Sequence, residues 1–103
     1  MAAYVLGGGI KGDEAMFQEY LAKVAKSFEG IQVEILALSD HPTVLEGEVV
    51  PNRVILLKFE DKAAAESWYH SEVYQNEAMP IRHASAETLF LLAIDHDSPL
   101  QAS

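Results

Sequence analysis

The sequence contains no cysteine, which excludes disulfides, thiolate-held iron–sulfur clusters and cysteine nucleophiles and leaves the fold dependent on packing alone. It is also short of positive charge. Seven Lys and Arg stand against sixteen Asp and Glu, for a formal net charge of -9. Lys11, Lys23, Lys26, Arg53, Lys58, Lys62 and Arg82 are scattered along the chain, so no run of cations offsets the repulsion from phosphate backbones or anionic headgroups. Neither nucleic acid nor a membrane is expected as a partner. Long hydrophobic runs are missing too. Met1-Ala2-Ala3-Tyr4-Val5-Leu6 has no basic stretch ahead of it and stops at Gly7-Gly8-Gly9, so neither a signal peptide nor a membrane span is expected, and the expected location is cytoplasmic.

Metal and cofactor signals are equally thin. His41, His70, His83 and His96 show none of the i,i+4 or short-loop spacings that metal sites favour, so no metal is expected. Gly7-Gly8-Gly9 lacks the G-x-G-x-x-G spacing and the parallel βαβ setting of a dinucleotide site, and reads as a flexible strand exit. No cofactor is expected.

What is present is a core. Half of the 103 residues are apolar, enough for one domain, which we place at residues 1–95 with a polar tail at 96–103. Tyr4 to Gly8 reads as a strand. Asp13 then offers an N-cap to a helix whose apolar residues Phe17, Tyr20, Leu21, Val24 and Phe28 recur at three and four, and Gly30 stops it. Ile31 to Leu38 is a β-branched strand, with Ile31, Val33 and Ile35 on one face and Glu34, Leu36 and Leu38 on the other. A loop through Pro51 leads to a third strand over 53–59. Asp61 caps a second helix through Tyr69, Ser71 caps a further segment carrying Val73 and Tyr74, and Pro80 opens a last helical turn. Thr88 to Ile94 is the final strand. The order β-α-β-β-α-β predicts an α+β fold of the ferredoxin-like kind, a four-stranded antiparallel sheet with its helices on one face.

Two strands predict a partner. In the third, Ile55, Leu57 and Phe59 alternate with Val54 and Leu56; in the last, Leu89, Leu91 and Ala93 alternate with Phe90, Leu92 and Ile94. Both faces are apolar. Helices cover one face only, so five large side chains on the other would each forgo about 1.5–3 kcal/mol of burial. A second copy of the same sheet is the economical cover, which predicts a homodimer through sheet faces.

The run Val44-Leu45-Glu46-Gly47, Pro51, Arg53 and Phe59, then Trp68-Tyr69-x-Ser71-x-x-Tyr74-Gln75 and Arg82, resembles the family called domain of unknown function 1330. The resemblance implies the dimeric α/β-barrel superfamily, in which two ferredoxin-like subunits press their sheets together. Relatives there include cofactor-free monooxygenases of aromatic polyketides, muconolactone isomerases and stress-response binding proteins. Where many family members carry Arg-Gly-Gly after the second strand this chain has Leu38-Ser39-Asp40-His41, and the aromatic often found two residues after Gly47 is Val49.

That replaced segment directs attention to Asp40 and His41, a carboxylate beside the side chain that titrates near neutral pH and hence the ingredients of a general base. Ordinary loop composition explains the same residues. His83 is a third candidate for moving protons. Glu46, Arg53 and Arg82 are the charged members of the family-like run; an arginine there can receive a ligand carboxylate, or pair structurally with Glu46. Tyr69 and Tyr74 offer flat apolar area with phenol handles at a pocket mouth, whereas the periodicity of Trp68 places it in the core. These residues support a homodimer binding a small hydrophobic or aromatic molecule. The alternatives are a cofactor-free enzyme on an aromatic or polyketide-like substrate, with His41, Tyr69 or His83 moving protons, and a purely structural or interaction module.

Overall fold

The computed structural model describes residues 2–96; the expected tail from residue 97 onward lies outside them. Four strands and three α-helices follow in the order β1 (Ala3–Lys11), α1 (Glu14–Ser27), β2 (Val33–Ser39), β3 (Arg53–Phe59), α2 (Lys62–Tyr69), α3 (Met79–Ser85) and β4 (Ala86–Asp95). The sheet order is β2-β3-β1-β4, and every neighbouring pair is antiparallel. This is the α+β fold expected from the hydrophobic pattern.

Local chemistry sets the helix starts. Asp13 Oδ1 accepts the Met16 N–H at 2.9 Å and Asp61 Oδ1 accepts the Ala64 N–H at 2.7 Å, each satisfying a donor that the first turn leaves free. Gly30, at φ +76°, turns the chain beyond α1 in the left-handed region that glycine enters without strain. Ser71 accepts the Tyr74 N–H at 3.3 Å, as its position predicts. One feature the periodicity does not reveal follows it: Tyr74–Ala78 is a π-helical turn, closed by the Met79 N–H bonding to the Tyr74 carbonyl, and it leads directly into α3.

Two strand expectations need correction. Gly7, Gly8 and Gly9 are not a strand exit; β1 runs straight through them to Lys11 as a central strand paired on both sides. Bare Cα atoms permit the close fit there. A Cβ on Gly8 would lie 2.3 Å from the Phe90 ring, and one on Gly9 would lie 2.5 Å from the Glu87 carbonyl oxygen. In β2 the alternation breaks at a bulge between Ile35 and Ala37, so Leu38 pairs with Ile55 and joins the face of Ile35 rather than that of Glu34. Residues 40–52 form an irregular loop with no strand, pinned at its end by Lys11 N–H to Asn52 Oδ1 at 2.9 Å and Asn52 N–H to the Gly9 carbonyl at 3.0 Å.

The helix-side core gathers Val5, Leu57 and Phe59 from the sheet, Val24 from α1, Ala65 and Trp68 from α2, and Tyr74 and Ala78 from the π-helical turn. Trp68 is its hub. Its ring lies 5.5 Å from Phe28, 5.5 Å from Phe59 and 4.5 Å from Tyr74, and its indole N–H donates to Ser27 Oγ at 2.9 Å. The outer face carries cross-strand rows Ile94-Tyr4-Lys58-Glu34 and Leu92-Leu6-Leu56-Ala37, and Leu92 and Ile94 are about half exposed, at 51% and 49%.

Candidate functional site

Away from Trp68, the space between α1 and the sheet is not filled. A cavity of about 80 Å³ opens there, roofed by Phe17, Tyr20, Leu21 and Val24 of α1 and floored by Gly7, Ile55 and Leu91. The amphipathic face of α1 supplies the roof, and the missing side chain of Gly7 deepens the floor, since a Cβ there would meet Leu91 Cδ1 at 3.1 Å and Ile55 Cγ2 at 3.2 Å. The volume is enough for several waters or part of a small ligand.

Three of the chain's seven basic residues, Lys11, Arg53 and Arg82, line this one cavity. Scattered in sequence, they converge because β1 and β3 are hydrogen-bonded neighbours and α3 packs beside α1. Arg53 is nearly buried, with 11% of its side chain exposed. Its guanidinium carbon lies 4.3 Å from the centre of the Phe17 ring, and its Nη1 pairs with Asp40 Oδ1 at 2.7 Å. Lys11 pairs with Glu14 at 2.7 Å and reaches Asp40 at 4.0 Å. The Lys11 ammonium, with Gln18 as a second donor, holds the Glu14 carboxyl below the usual carboxylate range.

The opposite wall is a chain of hydrogen bonds. Arg82 Nη1 donates to the Tyr74 hydroxyl at 2.8 Å, the Tyr74 and Tyr20 hydroxyls are 3.3 Å apart, and Arg82 Nη2 lies 3.1 Å from His83 Nε2. Burial pushes the Tyr74 phenol far up, with the Tyr20 hydroxyl adding to it, so Tyr74 stays protonated at any ordinary pH. With one Tyr74 lone pair taken by Arg82, its proton is available to Tyr20, whose own O–H can then turn into the cavity. Among the described residues, Arg53 Nε and Arg82 Nε are the buried side-chain polar atoms with no hydrogen-bond partner.

The structure separates the sequence candidates. Arg53 and Arg82 both line the cavity. Tyr74 is fully buried behind it, touching it through Arg82 and Tyr20 rather than lining a mouth. Asp40 is committed to Arg53, so it does not orient His41, which is exposed in the loop with its backbone N–H on Ser39 Oγ. Glu46 is exposed and forms no ion pair among the described residues; Asp40 holds the arginine instead. His83 is exposed at the outer end of the tyrosine–arginine chain. Tyr69 lies in a separate cleft of about 410 Å³ between α2 and β4, which it shares with His70 and, at one wall, Arg82. Lys11, Phe17, Tyr20 and Gly7 escape sequence reasoning. The one available signal was a tyrosine on an apolar helix face, where a hydroxyl needs a partner. No group of three or more His, Asp or Glu residues is gathered as for a metal ion among the described residues, and none of their helices is long and apolar enough to cross a membrane.

The model of the family described as domain of unknown function (DUF1330) matches residues 2–94. The chain belongs to the DUF1330 family. This DUF1330 chain is similar in fold to a protein of unknown function, RPA0582, from Rhodopseudomonas palustris, at 17% identity and TM-score 0.73 over 98% of this chain and 84% of that one. The methylated form of RPA0582 gives TM-score 0.72 at 15% identity, over 97% of this chain and 84% of that one. HapK from Hahella chejuensis is similar at TM-score 0.58 and 14% identity, over 98% of this chain and 99% of that one. At these identities the likeness is one of fold. No curated protein matches the chain.

Proposed function

We propose that this DUF1330 domain works as a homodimer that binds a small hydrophobic or aromatic molecule in the cavity between α1 and the sheet. The observation that carries the binding reading is the apolar cavity itself, bounded by Phe17, Tyr20, Val24, Ile55 and Leu91 and kept open by a glycine floor. A packed core fills such a space with side chains, as the rings of Phe28, Phe59 and Tyr74 do around Trp68. The dimer reading rests on the sheet's other face, where Leu6, Leu56, Leu92 and Ile94 form adjoining apolar rows and two of them are about half exposed. A second copy of this face offers the same apolar rows for burial, and each copy carries Lys58 opposite Glu34 beside them.

Light scattering and calorimetry test both parts. The expected mass is twice the 11.3 kDa of one chain, and Leu92→Glu is expected to halve it. The neutral ligand cinnamamide is expected to bind and to raise the melting temperature. A monomer at micromolar concentration removes the dimer; no binding of a neutral aromatic removes the apolar pocket.

A specific observation favours a second reading, a cofactor-free enzyme. The Tyr20–Tyr74–Arg82–His83 chain runs from the cavity to an exposed imidazole. Arg82 only donates, so the chain passes no proton along its length but orients the Tyr20 hydroxyl and sets a positive charge behind it, which can stabilise negative charge developing on a bound substrate. Turnover of an aromatic substrate that survives both Tyr20→Phe and His83→Asn would leave this reading without support.

A further inference from the structure

We infer that the ligand of this cavity carries an ionised carboxylate, held between Arg53 and Arg82 with the Tyr20 hydroxyl beside it, while its flat apolar body lies under α1. The inference rests on the binding reading above and specifies its ligand class. Three observations carry it. Lys11, Arg53 and Arg82 line a cavity walled mostly by apolar side chains, in a chain whose formal net charge is -9. Each arginine keeps a buried Nε–H without an acceptor among the described residues, so neither guanidinium is fully paired within the chain; these two atoms are themselves closed to solvent, and the Nη ends are what the arginines offer a ligand. Neither guanidinium is free to swing. Arg53 is clamped by Asp40 and the Phe17 ring, and Arg82 by Tyr74 and His83, so their remaining donors are presented in fixed positions.

The choice of a carboxylate over a larger anion follows from geometry and charge. Asp40 already pairs with Arg53 at 2.7 Å, so this guanidinium takes a planar carboxylate in its present pose. Asp40 pairs with Arg53 and Glu14 with Lys11, while Glu87 is exposed to solvent, so Arg82 is the lining cation without a carboxylate partner among the described residues, one positive charge where a dianion such as a phosphate calls for two. A single negative charge balances what remains.

The test compares cinnamate with cinnamamide at pH 7 by isothermal titration calorimetry, the pair differing only in charge and acceptor strength. Cinnamate is expected to bind about tenfold tighter or more, and Arg53→Gln and Arg82→Gln are each expected to reduce the ratio of the two affinities towards one. The overall charge of -9 repels anions at long range, so a preference for cinnamate reports a local site. Equal affinity for the two ligands overturns the carboxylate and leaves the apolar pocket standing, with water as the arginines' acceptor. Binding of neither overturns both readings. A preference untouched by either substitution places the carboxylate elsewhere and overturns the assignment; if a variant does not fold, the wild-type comparison still decides.

Discussion

The two ends of the space between the helices and the sheet are built on opposite rules. At the Trp68 end, four aromatic rings interlock, the indole N–H reaches Ser27 and Ser27 in turn donates to the Val24 carbonyl, so the large rings are packed on one another and their polar atoms there are satisfied. At the glycine end the sheet presents Gly7 and Gly9, α1 stands over a void, and two buried arginine donors are unpaired. Tyr74 joins them, with its ring packed on Trp68 and its hydroxyl on Arg82. One end stabilises the fold and the other is held open by it. An open cavity with orphaned donors costs stability, and that cost is tolerable only because the closed end is well packed.

Trp68→Ala is the largest blow to this division. Trp68 is 3% exposed and contacts Phe28, Phe59 and Tyr74, so its loss is expected to cost about 3–5 kcal/mol in urea denaturation. A loss below about 1 kcal/mol would mean that the two ends share the load. The next effect is expected at the open end. Gly9→Ala places a Cβ 2.5 Å from the Glu87 backbone oxygen, where no side-chain rotation gives relief, and is expected to cost about 1–3 kcal/mol with a lower urea midpoint and an unchanged slope. If Gly9→Ala is neutral, the β1–β4 bulge between Gly8 and Gly9 yields and the glycines do not hold the cavity open.

The closed end was legible in the sequence because its signals are local. Asp61 announces α2, whose periodicity puts Trp68 in the core, and Val24 and Phe28 fall on the apolar stripe of the helix that Asp13 caps. The open end depends on pairing between segments far apart in the chain. Lys11, Arg53 and Arg82 read as scattered charges until β1 pairs with β3 and α3 packs on α1. The glycine run reads as a loop because glycine is the usual residue of loops; its use here, to admit Phe90 and the Glu87 carbonyl, requires knowing what lies across the strand. Arg53 and Arg82 were candidates through the family-like run, whereas Asp40 and His41, whose side chains diverge in an extended segment, were candidates by residue type alone, and the partner Asp40 takes, Arg53, lies on β3.

The smallest expected effect lies on the rim of the closed end, where Glu77 of the π-helical turn pairs with Lys26 at 2.8 Å and Lys23 at 3.7 Å of α1. The Lys26 hydrogen bond holds the Glu77 carboxyl below its usual range, and the same contact raises Lys26. A carboxyl depressed in the folded state binds its proton more readily in the unfolded chain. Its contribution is therefore complete above the ordinary carboxylate range and disappears as pH falls through the depressed folded value. Lys26 is exposed and Glu77 partly so, and the pair is screened by salt. Glu77→Gln is therefore expected to lower the melting temperature only slightly at pH 7 and low salt, and not at all in 1 M NaCl, with the low-salt effect shrinking as pH falls through the carboxylate range. A loss that persists in high salt would show that Glu77 holds the π-helical turn by more than charge. Since that turn delivers Tyr74 to Arg82, the closed end would then be setting the geometry of the open one.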